Sequence, residues 1–173
     1  MFLRCNFSAC EGIAMLLVYC EKAVRTMSDK TTLEVAIMGL LGELGEVTEC
    51  YKKHYGQGKE LNREKVLDEL GDLLWYSVVV YHITGNKWKL GYVFPITEKN
   101  GFGENYLAIV KPMLRCVNSA VSAVVSACDL DSIDIIGETV KFIELLGFTV
   151  QEVIDCNVSK LEKRYPDGFK VMQ

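Results

Sequence analysis

Hydrophobic residues recur with a period near 3.6 along most of this chain of 173 residues, which is the pattern of amphipathic α-helices. The alternation of a β-strand is confined to a short piece at 92–96. We therefore predict an all-α fold. The expected helices span residues 11–27, 32–54, 63–83, 107–128, 133–146 and 150–165.

Short polar segments mark where these helices begin and end. Ser28 or Asp29 can cap the second helix, and Asn62 can cap the third. Residues 87–106 are rich in Gly, Asn, Lys and aromatic residues, and an irregular stretch of this length in a compact domain is usually functional or disordered. Half of the residues are hydrophobic, which suffices for one well-filled core, so we predict a single domain over 1–173.

The second predicted helix has an unusual polar side. Its apolar stripe consists of Ile37, Leu40, Leu41, Leu44 and Val47. The other side carries Glu43, Glu46 and Glu49, which alone is also the pattern of a solvated face. Gly39, Gly42 and Gly45 lie on roughly the same side, although each glycine costs a helix about 1 kcal/mol relative to alanine. We infer that a ligand or another helix backbone approaches this side closely.

The third predicted helix is apolar nearly all round, which is typical of a buried helix. Its narrow polar stripe consists of Glu69, Asp72 and Tyr76. Buried carboxylates cost several kcal/mol each unless they are protonated or neutralised. A bound cation removes that cost, and salt bridges to Lys or Arg are the alternative.

The acidic residues form two pairs with the same spacing. Glu43 and Glu46 are three positions apart, as are Glu69 and Asp72, and 22 residues separate the pairs. Each pair lies on one helix face, so two facing helices can bring four carboxylates round one point. Because carboxylate oxygens suit hard cations, the pattern predicts a site for Mg²⁺ or Mn²⁺.

The last predicted helix carries a cationic stripe. Asn157, Lys160 and Arg164 recur at relative positions 0, 3 and 7, and lysine and arginine are common phosphate ligands. Cations near a helix C-terminus are also favoured by the helix dipole, so an exposed surface is the other interpretation. Beside a metal site, the stripe is the expected contact for a polyphosphate.

Charge and cysteine content restrict the setting. The net charge is −4 with acids and bases interspersed, which gives no basic surface for nucleic acid and no polybasic membrane patch. The seven cysteines are scattered, without a C-x-x-C pair, and are expected to be reduced thiols in the cytoplasm. The chain shows neither a signal peptide nor a transmembrane run.

Three segments resemble the MazG-like nucleotide pyrophosphohydrolases. They are GELGEV at 42–47, DELGDLLWY at 68–76 and NVSKLEKRYPDGF at 157–169. The resemblance covers residues 11–83 and 142–169. It implies an α-helical bundle in which the 58 residues 84–141 are an insertion, comprising a loop and a helix, between the metal-binding helices and the C-terminal helix.

The resemblance also implies an activity. Such an enzyme uses Mg²⁺, with Mn²⁺ as a substitute, to cleave a nucleoside triphosphate to the monophosphate and pyrophosphate, and it assembles as a homodimer or as a homotetramer built from two dimers. The positions that match the family's metal ligands are Glu43, Glu46, Glu69 and Asp72. Lys160 and Arg164 match phosphate-contacting positions, with Asn157 beside them, and Tyr76 matches a nucleotide contact.

Within this reading we expect Glu46 to be the carboxylate that orients or deprotonates the attacking water. Aromatic residues between 88 and 106 can stack on a base, which favours a purine dNTP such as dGTP or dATP. The alternatives are a pyrimidine dNTP, phosphoribosyl-ATP, or a helical protein that binds metal or nucleotide without turnover. A ferritin-like di-iron site is disfavoured, because neither histidine follows a glutamate by three residues.

Overall fold

The computed structural model describes residues 9–85 and 135–169, with residues 115 and 118 between them. In the two long ranges all regular structure is helical, which confirms the all-α prediction. The helices are α1 (Ala9–Val24), α2 (Leu33–Gln57), α3 (Arg63–Thr84), α4 (Ile135–Leu145) and α5 (Val150–Arg164). Residues 115 and 118 are helical and fall within the helix predicted at 107–128. The rest of that helix, the aromatic stretch at 87–106 and the strand-like piece at 92–96 lie outside the described residues.

Side-chain caps fix where three helices begin. The Asn62 side chain accepts a hydrogen bond from the Lys65 backbone at the start of α3, as predicted. The cap of α2 is Thr32, whose side chain accepts from the Val35 backbone. The prediction of Ser28 or Asp29 was wrong, because these residues form a turn before the helix rather than its first capped position. Thr149 and Glu152 form a reciprocal capping box at the start of α5.

Glycines in the left-handed conformation end the two helices that carry the acidic pairs. Gly58 follows α2 and Gly85 follows α3, each with φ of 65°. Their backbone N–H groups bond back to carbonyls of the last helical turn, including those of His54 and His82. A β-carbon is strained at this φ, so glycine suits both ends.

Helix α3 is the central element of the bundle. It packs against α1, α2, α4 and α5, and its apolar surface is buried as the sequence predicts. Trp75 on α3 donates its indole N–H to the Thr26 hydroxyl at 2.9 Å, just after α1. On another side of α3, the Ser77 and Thr139 hydroxyls lie 2.8 Å apart and join it to α4. The polar stripe of α3 is therefore held by packing on several sides.

The long pair α2 and α3 forms the most extensive packing interface, across the short connection at 58–62. Ile37, Leu40, Leu44 and Val47 are buried there as predicted. Leu41, which the sequence pattern placed with them, is 38% exposed, because it lies on the edge of the stripe. No helix in the described part of the chain is long and apolar enough to cross a membrane.

Candidate metal centre

Three carboxylates from α2 and α3 converge at one place. Glu43 belongs to α2, and Glu69 and Asp72 belong to α3. One oxygen from each lies within 4.8 Å of the other two. All three residues are half-buried, between the apolar interface of the two helices and the surface. The predicted convergence of the two acidic motifs is therefore present for three of its four members.

Glu46 is outside this group of three. It is exposed, and its Oε2 lies 3.4 Å from Nζ of Lys65. The same Nζ lies 3.6 Å from Oε1 of Glu69, so Lys65 bridges the two glutamates. Sequence reasoning missed Lys65, although its position four residues before Glu69 is a standard spacing for a helical ion pair.

Asp72 is fixed from the side of α5. Its Oδ2 accepts a hydrogen bond from Nζ of Lys160 at 2.6 Å, and its Oδ1 accepts one from Nδ2 of Asn157 at 3.1 Å. Lys160 also donates to Oδ1 of Asp68 at 2.6 Å. Lys160 thus neutralises part of the acidic charge on α3, and Asp68 is a further acidic neighbour that sequence reasoning did not single out.

Asn157 lies inside the bundle and is fully buried. Its Oδ1 accepts a hydrogen bond from the Tyr19 hydroxyl at 2.9 Å, and Tyr19 on α1 is also buried. Asn157 has the spacing of the cationic stripe, but its amide bonds to Asp72 and Tyr19 inside the bundle. Arg164 is exposed on the last turn of α5.

The three glycines of α2 have different surroundings. A β-carbon at Gly39 would lie 2.6 Å from Cδ1 of Tyr76 and closer still to Cε1 and Cζ of the same ring. Gly42 and Gly45 are exposed and have nothing within 4 Å of a β-carbon position. Gly39 therefore accommodates the Tyr76 ring, whereas the two later glycines leave open space beside the carboxylates.

The acidic group perturbs the ionisation of its members and neighbours. Burial, followed by the charges of Asp72 and Glu69, raises the pKa of Glu43 from its usual 4.5 to about 7. Burial and the nearby charges of Glu43 and Asp72 also raise the pKa of Tyr76. Burial lowers the pKa of Lys160, but its hydrogen bonds to Asp68 and Asp72 outweigh this and hold the pKa above its usual range. The site is thus short of positive charge despite Lys160.

The donor set fits a hard divalent cation. Three carboxylates offer oxygen ligands at one point, and Mg²⁺ and Mn²⁺ prefer such ligands. Burial first, and then the charges of Asp72 and Glu69, raise the pKa of Glu43, and a bound cation would offset both effects. The partial exposure of all three leaves an approach for water or a phosphate oxygen. Salt bridges, the alternative interpretation, are present at Lys65 and Lys160 but leave Glu43 with a raised pKa.

This pKa predicts how the metal-free protein responds to pH. The folded state holds the Glu43 proton more tightly than the unfolded state, so ionisation of this group removes stability as pH rises from about 4.5 to about 7. In EDTA, we expect the Tm of the wild type to fall over this interval relative to that of Glu43→Gln, which carries no titrating group. Thermal unfolding of both proteins across the pH range measures the difference. If Tm changed with pH in the same way in both proteins, the raised pKa of Glu43 would be contradicted.

Comparison of the sequence with protein-family models and with curated proteins, and of the fold with solved structures, finds no match.

Proposed function

We propose that this protein is a Mg²⁺-dependent nucleotide pyrophosphohydrolase of the MazG-like type, which cleaves a nucleoside triphosphate to the monophosphate and pyrophosphate. The observation that carries the proposal is the convergence of Glu43, Glu69 and Asp72 from two packed helices. Helix α5 packs on α3, and Nζ of its Lys160 donates to Oδ2 of Asp72 at 2.6 Å. A site for a metal-bound polyphosphate needs carboxylates that hold the metal ion and a positively charged side chain that contacts phosphate.

In this proposal, Glu43, Glu69 and Asp72 hold Mg²⁺. The ion supplies charge stabilisation to the phosphoryl group and lowers the pKa of a bound water. Glu46 is the residue that orients or deprotonates the attacking water, and its position outside the group of three leaves it uncommitted to the ion. Glu46 and Glu69 share one ion-pair partner, Nζ of Lys65, at 3.4 and 3.6 Å. The oxygen of the water would bond to the α-phosphorus while Glu46 accepts a proton from that water. The bond between the α-phosphorus and the α–β bridging oxygen would break, and the bridging oxygen would leave as part of pyrophosphate.

The leaving pyrophosphate needs cationic partners. Lys160 has a positive charge beside Asp72, and Arg164 lies one turn further along α5. Both offset developing negative charge in this proposal. Asn157 acts on Asp72 from inside the bundle, because its burial leaves it no exposed atom for phosphate.

The nucleoside side of the site is assigned to Tyr76 and to the open surface at Gly42 and Gly45. Tyr76 is half-buried beside Glu43, and its ring packs edge-on against Trp75 with the centroids 4.8 Å apart. The exposed glycines allow a ligand or a second chain to approach the α2 backbone. We keep a purine dNTP as the first substrate to test, and a homodimer or homotetramer as the expected assembly.

The decisive experiment is a product analysis over all common NTPs and dNTPs, with phosphoribosyl-ATP included. We expect the purified protein to release pyrophosphate and a nucleoside monophosphate from at least one of them when Mg²⁺ is present, and to release neither in EDTA. Separate detection of pyrophosphate and orthophosphate identifies the bond that is cleaved. Orthophosphate alone would contradict the proposal, and nucleotide binding without turnover would favour a sensor.

A further inference from the structure

A hydrogen-bond chain connects the buried face of α1 to the acidic group. The Tyr19 hydroxyl donates to Oδ1 of Asn157 at 2.9 Å, and Nδ2 of the same amide donates to Oδ1 of Asp72 at 3.1 Å. Tyr19 is 1% exposed and Asn157 is completely buried. Buried polar groups in such a chain are costly to leave unpaired, so each fixes the orientation of the next.

The direction of the chain determines what Asn157 presents to Asp72. An amide has a donor end and an acceptor end, and Tyr19 bonds to the acceptor end. The donor end is therefore turned toward the carboxylate. Burial and the charge of Asp72 hold the pKa of Tyr19 well above its usual range, so the hydroxyl keeps the proton that it donates.

Close packing of α5 on α3 supports this arrangement. Gly71, which precedes Asp72, is buried, and a β-carbon there would lie 3.0 Å from Cβ of Asn157. A side chain at this position would crowd the amide, so glycine suits the close approach of α5 to the α3 backbone. On the other side of the carboxylate, Lys160 bonds to Oδ2. Asp72 is therefore held through both oxygens, by one charged and one neutral donor.

We propose that Tyr19 is a positioning residue for the metal centre, which acts through Asn157 to orient the Asp72 carboxylate toward the cation. The proposal rests on the cation site assigned above, but it is independent of which phosphate compound is cleaved. Without the Tyr19 hydroxyl, Oδ1 of Asn157 loses its hydrogen-bond partner inside the bundle, and the amide is anchored only by its bond to Asp72. Partners of this kind typically change metal affinity by about 10-fold to 100-fold.

The test is the affinity for Mn²⁺ alone, measured by electron paramagnetic resonance without nucleotide. We expect Tyr19→Phe to raise the Kd about tenfold, since it removes one hydroxyl and keeps the ring. Tyr51→Phe is the matched control, because it deletes a hydroxyl from another buried tyrosine, on α2. It should leave the Kd within about twofold of the wild type. Thermal unfolding of each protein shows that the fold is retained.

A double-mutant cycle separates positioning from a packing role. Asn157→Leu replaces the amide by an apolar group of similar shape and should weaken Mn²⁺ binding at least as much as Tyr19→Phe does. In the Asn157→Leu background, adding Tyr19→Phe should change the Kd by less than about twofold, because the connection to Asp72 is already lost. Independent, additive effects on the Kd would overturn the proposal.

The outcomes also separate this proposal from the proposed enzymatic activity. A lower Tm for Tyr19→Phe with an unchanged Mn²⁺ Kd assigns Tyr19 to packing alone and overturns the positioning role. Failure of the wild type to bind Mn²⁺ overturns both the role and the metal centre. Weaker Mn²⁺ binding by Tyr19→Phe, in a protein that cleaves none of the nucleotides, supports the positioning role and contradicts only the pyrophosphohydrolase.

Discussion

Asp72→Asn is expected to lower both Mn²⁺ affinity and pyrophosphate release by about 100-fold or more, the scale of losing one electrostatic stabiliser in an active site. The substitution keeps the shape of the side chain and removes the charge that Lys160 and Asn157 hold in place. Glu69→Gln should behave alike, because Glu69 belongs to the same group of three. Titration with Mn²⁺ and steady-state kinetics measure the two effects independently.

Asp68→Asn provides the matched control. Asp68 lies one turn before Asp72 on α3 and accepts from the same Nζ of Lys160, also at 2.6 Å, but it is not one of the three converging carboxylates. Its loss removes the same charge and the same type of contact. We expect an effect on Mn²⁺ affinity below about tenfold, since the charge is not a ligand. Equal losses for the two variants would mean that the general negative potential, rather than ligation, determines binding.

Gly39→Ala is expected to destabilise the protein despite the better helix propensity of alanine. The new methyl group would overlap the Tyr76 ring, and overpacking of this kind costs about 1–3 kcal/mol. Gly42→Ala, three positions along, meets nothing within 4 Å and should gain up to about 1 kcal/mol. Urea unfolding should therefore show a lower free energy of unfolding for Gly39→Ala and a higher one for Gly42→Ala, each relative to the wild type. Nucleotide turnover should fall in Gly39→Ala, because the displaced ring lies beside Glu43.

Removing the ring tests this explanation. In a Tyr76→Ala background, Gly39→Ala should no longer lower the free energy of unfolding, because the atoms that the methyl group meets are absent. A persistent loss would place the strain in the α2 backbone instead. If Gly42→Ala is more stable but has lower turnover, a ligand approaches the open surface at this glycine. If it is more stable but has a lower oligomeric mass, a second chain approaches there.

Local signals predicted much of the fold. Asn62 begins α3 and Gly85 ends it because capping and left-handed glycine depend on a few neighbouring residues. The burial of α3 followed from its nearly continuous apolar surface. The equal spacing in the two acidic motifs predicted that four carboxylates converge, and Glu43, Glu69 and Asp72 do so while Glu46 does not. Each of these features depends on a single helix or on the packing of two neighbouring helices.

The remaining features depend on the relative rotation of helices, which one sequence does not specify. Glu46 pairs with Lys65 and lies outside the acidic group, and this outcome depends on how α2 and α3 pack, which the spacing of the motifs does not specify. Tyr19 and Asn157 are 138 positions apart, and nothing local connects them. A signal for Asn157 was available, however. It continues the apolar stripe of Val150, Val153 and Ile154, and a polar residue in such a stripe is expected to have a buried partner.

Because α3 is central, the five helices that the structure describes do not divide into independent halves. Because α1, α2, α4 and α5 all pack on α3, any opening that frees its amide groups for exchange with solvent must break most of the interhelical contacts at once. Two of the three converging carboxylates lie on this helix. A ligand that binds there, and only to the folded state, should therefore raise the free energy of unfolding of all these helices together.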